Sequence, residues 1–195
     1  VAVAEVITNR DRSGQGRVQL RLPWLPGVEP WARVAAVSGG SEMGTYFIPQ
    51  AGEEVLVAFQ HGDVRDAYVL GSLWNAKDRP PSKGLNDPVN RRLIRTPAGH
   101  EIELHDQDRT VTVKTADGQT ITLTPDKIEV ATAQGTAQVV LETSGAVSVK
   151  ATTTLKLEAA SITLDAPTVE IKGSGTAKLG GGAMCEIQAS LVKIN

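Results

Sequence analysis

Ile102-Glu103-Leu104, Val111-Thr112-Val113, Ile121-Thr122-Leu123 and Ile128-Glu129-Val130 repeat one phrase: apolar, polar, apolar. It continues as Val147-Ser148-Val149, Leu155-Lys156-Leu157, Ile162-Thr163-Leu164 and Val169-Glu170-Ile171, over most of the stretch about every seven to eleven residues. Alternation over so short a unit predicts short strands and few helices. Each such strand turns only two good apolar side chains to one side. A chain folding these strands on itself would bury a thin ribbon, too little to offset the ordering entropy of that many residues. Three copies around one axis could bury it. The expectation is an intertwined homotrimeric shaft whose core is Ile102, Leu104, Val111, Val113, Ile121, Leu123, Ile128, Val130, Val147, Val149, Leu155, Leu157, Ile162, Leu164, Val169 and Ile171.

The rest of the chain follows another packing plan. With 22% charged and 41% apolar residues in 195, the composition is that of an ordinary soluble protein. All the aromatic residues, Trp24, Trp31, Tyr46, Phe47, Phe59, Tyr68 and Trp74, precede residue 75. Aromatic side chains carry much of a compact core's burial, so the two parts are built differently. Residues 1–99 hold 12 Lys+Arg against 10 Asp+Glu and residues 100–195 hold 8 against 12. Neither part has the basic excess of a nucleic-acid binder. Cys185 is the sole cysteine, which excludes an internal disulfide and gives no metal-ligand spacing. No run of eighteen apolar residues marks a transmembrane span. The chain opens at Val1 without Met, so a fragment is expected and the lack of a leader is uninformative.

Residues 1–75 read as strands Val3 to Thr8, Gly16 to Leu22, Trp31 to Val37, Tyr46 to Ile48, Glu54 to Gln60 and Ala67 to Trp74, punctuated by Gly, Pro and Asp. A small closed barrel is the natural solution, because closure removes sheet edges. Residues 76–92, with Arg79-Pro80-Pro81-Ser82-Lys83-Gly84 inside them, read as an extended linker, and residues 93–195 as the needle and its tip. At the junction a longer unit repeats. Ile94-Arg95-Thr96-Pro97-Ala98-Gly99-His100-Glu101-Ile102-Glu103-Leu104 returns nineteen residues later as Val113-Lys114-Thr115-Ala116-Asp117-Gly118-Gln119-Thr120-Ile121-Thr122-Leu123. Such repetition marks a stacked architecture, with a pair of hairpins turning at Asp117-Gly118 as the plainer reading. Beyond Pro125 the strand breaks fall at Gly135, Ser144-Gly145, Ala159-Ala160 and Ala166-Pro167, small or fixed-φ residues that suit the corners of a three-sided prism.

The residues of the first part carry a resemblance. Gly16-Arg17-Val18-Gln19-Leu20-Arg21-Leu22-Pro23-Trp24, Trp31-Ala32-Arg33-Val34, Ile48-Pro49-Gln50-Ala51-Gly52-Glu53-Glu54-Val55-Leu56-Val57-Ala58-Phe59, Gly62-Asp63 and Val69-Leu70-Gly71-Ser72-Leu73-Trp74-Asn75 together resemble the oligonucleotide/oligosaccharide-binding-type (OB) domain of contractile-tail spikes. These spikes are phage baseplate assembly protein V and the VgrG spike of type VI secretion. The Thr96-x-x-Gly99-His100-x-Ile102-x-Leu104 stretch and the final Val192-Lys193-Ile194-Asn195 are similar to the β-helical shaft of that family. The resemblance implies an all-β protein, an OB-like barrel followed by a trimeric triangular β-helix. It also implies a capping protein with the proline-alanine-alanine-arginine (PAAR) repeat at the tip, and hub, baseplate and tail-tube proteins at the other end. The implied life history is assembly in the bacterial cytoplasm within a phage-tail-like particle, then ejection with transient contact at the target membrane. The hub domains that precede the barrel in full-length VgrG are missing from this sequence. The linker cannot hold the lysozyme that some phage relatives insert there. No His-x-His occurs, so the apical iron of some phage spikes is not expected, and no cofactor is.

Candidate chemistry is thin. His61 adjoins the Gly62-Asp63 turn, and five residues separate His100 from His105, which puts those two on opposite strand faces. All three histidines read as solvated positions. No Gly-x-Ser-x-Gly elbow is present, Gly180-Gly181-Gly182 lacks the Lys-Ser/Thr of a phosphate loop, and Cys185 reads as a small apolar filler near the tip. An OB barrel raises single-stranded nucleic acid, with Phe47, Phe59 or Trp31 as stacking platforms, but strand parity puts Val55, Val57 and Phe59 on one core-facing side. A tailspike-like glycan binder or lyase solenoid is opposed by the short shaft and its lack of aromatics. The reading is a structural needle and not an enzyme, with Val192, Lys193, Ile194 and Asn195 as an apical platform for a cap and with no nucleic-acid partner.

Overall fold

The computed structural model describes residues 1–81, 84 and 87–193. Strands β1 (Ala2–Thr8), β2 (Val18–Arg21), β3 (Trp31–Val34), β6 (Glu54–Phe59) and β7 (Ala67–Leu73) close into a barrel in the order β1-β2-β3-β7-β6. Period-two alternation builds its interior: Ala4 and Val6, Val18 and Leu20, Ala32, Val55 and Val57, and Ala67 and Val69 all point in and are at most 1% exposed. Interleaving alanines with Val and Leu fills an interior too narrow for large side chains alone. Ile48, Phe59, Val28, Val34 and Val64 pack against this core, and the Trp24 ring meets Phe59 edge-on at 6.2 Å. Closure comes from the parallel pairing of β3 with β7, Arg33 opposite Tyr68 and Val34 opposite Val69.

Two sequence expectations change here. The third strand ends at Val34, and Tyr46 to Ile48 is not a strand. A two-residue ribbon forms just before it instead, β4 (Gly39–Gly40) against β5 (Met43–Gly44). Tyr46 and Phe47 both stand exposed and Ile48 alone packs inward, so the segment has no alternating face to bury, and Pro49 offers no N–H to a ladder. Gly44, at φ 138°, sits where a Cβ would lie 2.3 Å from the Ser38 carbonyl oxygen, so the ribbon admits no side chain there.

The loop from β1 to β2 is tied by one carboxylate. Asp11 accepts hydrogen bonds from the backbone N–H of Ser13, Gln15 and Arg17, from the Ser13 hydroxyl and from the Arg17 guanidinium, which also lies over the Trp31 ring. The Arg17 hydrogen bond, followed by those from Ser13, holds the Asp11 carboxyl well below its ordinary value of 3.8. A carboxylate depressed by folding stabilises the folded state fully above its unfolded pKa, and that contribution is lost as pH falls toward the folded value. Asp11→Asn is therefore expected to melt earlier than the parent at neutral pH. The gap should close as the pH is lowered below about 4, read by thermal melts across pH. A gap that stays constant would contradict this role.

A short helix, α1 (Asp87–Asn90), leads into the second part. Arg91, 7% exposed, donates to Glu103 at 2.7 Å, to Asp87 at 3.2 Å and to the Pro81 carbonyl at 2.7 Å. It thus ties the approach segment and α1 to the shaft sheet. Arg91→Ala withdraws the guanidinium from both carboxylates and from the Pro81 carbonyl and is expected to cost about 3 kcal/mol. Arg91→Lys keeps the charge without the fork and should cost less, both read by denaturant unfolding.

From there the chain forms a seven-stranded antiparallel sheet in strict sequence order: β8 (Arg91–Arg95), β9 (Glu101–His105), β10 (Thr110–Lys114), β11 (Thr120–Leu123), β12 (Lys127–Ala131), β13 (Ala137–Glu142) and β14 (Val147–Ala151). The turns on one side stack. In Thr96–His100 and Thr115–Gln119 the threonine hydroxyl accepts the N–H four residues on. The Ala116 N–H then donates to His100 Nδ1 of the tier below at 3.2 Å. Both sequence readings of this repeat therefore hold: it is a series of hairpins, and they stack. A third tier, Thr132-Ala133-Gln134-Gly135, escapes the sequence comparison because it carries one extra residue before Val139. Gly118, at φ 93°, would bring a Cβ to 3.5 Å of the Ala133 methyl, which keeps the tiers close.

The ladders of this sheet run between consecutive strands of one chain. The expectation of an intertwined shaft is corrected for β8 to β14, whose ladders stay within one chain: tight turns make the neighbour in sequence the nearest partner. Six inter-strand steps of roughly 4.8 Å make this section about 29 Å tall. The phrases at Leu155, Ile162 and Val169 form no strand, and residues 152–193 are exposed throughout, with no ladder to the other described residues beyond the Thr152 N–H bond to the Thr136 carbonyl. A strand needs a neighbouring backbone, and folding back would lay these residues over the sheet's apolar side.

Candidate functional site: an uncovered apolar face

The strand register turns the scattered phrases into two continuous rows on one face of the sheet. Ile94, Ile102, Val113, Ile121, Val130, Val139 and Val149 stand opposite one another from β8 to β14. Beside them run Leu104, Val111, Leu123, Ile128, Leu141 and Val147, with Arg92 at the β8 end. Except for Val111, every apolar member of both rows is 36% exposed or more, and Val147 reaches 66%. The opposite face is polar yet better covered. Glu103, Thr112, Thr122 and Glu129 form its central row and are partly buried by their neighbours, with Arg91 bonded to Glu103 and Gln138 to Glu129. A sheet that shields its polar side and bares its apolar side is half of an interface. An uncovered patch of this extent marks a surface made for another molecule.

Ile102, Leu104, Val111, Val113, Ile121, Leu123, Ile128, Val130, Val147 and Val149 all lie on this one face. Three members were missed from sequence: Ile94, Val139 and Leu141. In Val139-Val140-Leu141 the alternation is hidden by an apolar residue on the other face. The available signal for Ile94 was its distance from the repeated Thr-x-x-Gly turn, two residues before Thr96 as Val113 is before Thr115. Leu155, Leu157, Ile162, Leu164, Val169 and Ile171 are exposed and outside the sheet. Val192 and Lys193 are exposed, and Ile194 and Asn195 lie outside the described residues.

The groups with chemical potential stay apart. His100 Nδ1 accepts the Ala116 N–H, His105 Nδ1 lies 3.1 Å from Asp108 Oδ2, and His61 sits in a tight turn at φ 50°. His100 and His105 thus each have a local structural use. Among the described residues no three His, Cys, Asp or Glu side chains are grouped to hold a metal ion. Cys185 is exposed. In the barrel, Val55 and Val57 are fully buried and Phe59 packs on the core, whereas Phe47 is exposed and Trp31 carries Arg17.

A self-sufficient barrel joined to a strand ladder that leaves its apolar face bare defines a class of protein: one whose second domain is complete only in the company of further copies. Comparison with known proteins agrees. Residues 2–74 match the type VI secretion system/phage-baseplate injector OB domain, and residues 91–156 match the phage baseplate V C-terminal trimerisation domain. The chain belongs to this phage baseplate V and VgrG-like family, an all-β structural family of injection machines. A trimerisation domain implies a homotrimeric assembly. Among curated relatives, the type VI secretion system spike protein VgrG3 of Vibrio cholerae is 32% identical over 87 residues, 42% of this chain and 8% of the relative. The actin cross-linking toxin VgrG1 of the same species is 33% identical over the same shares, and VgrG5 of Pseudomonas aeruginosa is 43% identical over 34% of this chain and 9% of its own length. The aligned stretch thus spans under a tenth of each of these relatives.

Proposed function

We propose that this chain forms the barrel collar and needle of a central spike, a passive homotrimeric device that crosses a target envelope when a contractile sheath drives it. The observation that carries the reading is the pair of apolar rows, unbroken over six strands and bare in a single copy. Three such faces turned inward make a dry triangular core, while three ladders of backbone hydrogen bonds run along the outside. Rigidity follows, because the sheet has short turns and few free edges.

Residues 152–193 extend the needle by a different route. Having no ladder within their own chain, they pair with the corresponding segments of the other two copies, so that the prism becomes intertwined and Leu155, Leu157, Ile162, Leu164, Val169 and Ile171 reach the axis. On this plan residues 1–75 are the barrel, 76–92 the connection and 93–195 the needle. Hub and tail-tube contacts lie at the barrel end. The tip is apolar and receives a PAAR-type cap on Val192, Lys193, Ile194 and Asn195. The protein is assembled in the bacterial cytoplasm as part of the particle and ejected on firing. It works mechanically, without catalysis or cofactor, and meets no nucleic acid.

Mass by light scattering tests the core of this reading: about three times 20.6 kDa is expected, and a monomer would reject it. Removing residues 192–195 should leave the trimer intact and abolish binding of a PAAR-type cap. Cap binding that survives the truncation would reject the apical platform.

A further inference from the structure

The two apolar rows are chemically different. The row beside the stacked Thr-x-x-Gly turns is β-branched at all seven positions: Ile94, Ile102, Val113, Ile121, Val130, Val139 and Val149. The other row alternates, with Leu104, Leu123 and Leu141 on β9, β11 and β13, and Val111, Ile128 and Val147 between them. Their relief differs too. A concavity of about 410 Å³ opens on the β-branched row, floored by Val113, Ile121, Val130 and Val139 and walled by Thr115 and Thr132.

A closed ring of three uses two different surfaces of every copy, one facing each neighbour. On a face only two apolar residues wide, those surfaces are the two rows. We infer that the trimer closes row against opposite row, the leucines of one copy seating in the β-branched concavity of the next. This rests on the homotrimeric reading and specifies which surfaces of that trimer meet. The fit is one of shape. Leucine branches one carbon farther out and projects as a knob, while Val and Ile hold their bulk at the backbone and leave a hollow between rungs. In a ring without axial offset, Leu123 shares its strand with Ile121 and so stands level with the middle of the hollow. Setting β-branched row on β-branched row would face hollow to hollow and leave a void along the axis.

Cysteine pairing in the full chain distinguishes the arrangements, in a Cys185→Ser background. A disulfide needs Cα atoms roughly 4.4 to 6.8 Å apart, so only rows that adjoin across the interface can be bridged. A chain carrying both Ile121→Cys and Leu123→Cys should, on mild oxidation, run chiefly as a covalently closed three-chain species on a denaturing gel. Ile121→Cys alone and Leu123→Cys alone should remain mainly single chains. Should that pair disturb assembly, Ile102→Cys with Leu104→Cys on β9 repeats the design. Photo-leucine in the unsubstituted chain needs no assembly of a variant: its inter-chain products should map from Leu104, Leu123 and Leu141 onto the β-branched row. Single variants that crosslink as well as the double, or photo-products joining leucine to leucine, would overturn the inference while a trimeric mass still stood. A monomeric mass would instead reject the homotrimer beneath it.

Discussion

Ile121→Asp is expected to reduce the light-scattering mass from about three times 20.6 kDa to a single chain. Ile121 stands in the middle of its row, between Val113 and Val130, and is 43% exposed in one copy. Covering that remaining surface across all the apolar row members contributes on the order of 10 kcal/mol per chain at about 25 cal/mol per Å². An aspartate there brings three carboxylates to one level of a dry axis. Ionised, they repel one another without solvent; protonated, each gives up several kcal/mol of hydration and keeps few partners. The neighbouring Thr122 is the matched control, since it belongs to the central row of the polar face. Thr122→Asp should leave the mass unchanged. If Ile121→Asp remains trimeric, the rows do not line the axis.

Leu20→Ala should produce the opposite pattern, a weakened barrel in an intact trimer. Leu20 is wholly buried within one chain, on β2 of the closed barrel, among Val6, Val18 and the other core residues. Truncating it removes buried methyl groups and leaves a cavity, at about 2 to 5 kcal/mol. For a unit of this size the melting point should fall by roughly 10 °C or more. Tryptophan fluorescence reads this directly, because Trp24, Trp31 and Trp74 all lie at or beside the barrel and the shaft has none. Light scattering below the new melting point should still give the trimeric mass. Loss of the trimer together with the barrel signal would mean that the two parts do not stabilise themselves independently.

These two outcomes differ because the chain uses one rule, alternation, for two kinds of burial. In the barrel, closure brings both sides of the alternation to a finished state within one copy. In the shaft, the same alternation is finished on the polar face only. The contrast was legible early, since aromatic bulk ends at Trp74 and only thin apolar pairs follow.

The amino-acid sequence by itself determined that the chain is all-β, that it changes packing plan after Trp74, and which side is apolar in the shaft strands β9 to β12 and β14. A period of two dictates side-chain direction from local geometry alone. Only the tertiary structure decided how the phrases align. Register depends on turn length and on which backbone lies alongside, and a shift of one residue would exchange the two faces. That is why Ile94, Val139 and Leu141 joined the rows only once β8 and β13 were in place, and why Tyr46 to Ile48 lost its strand for want of a second face. It is also why the phrases from Leu155 onward, apolar in the same rhythm, form no strand: rhythm sets side-chain direction, and among the described residues no backbone lies alongside to make a ladder.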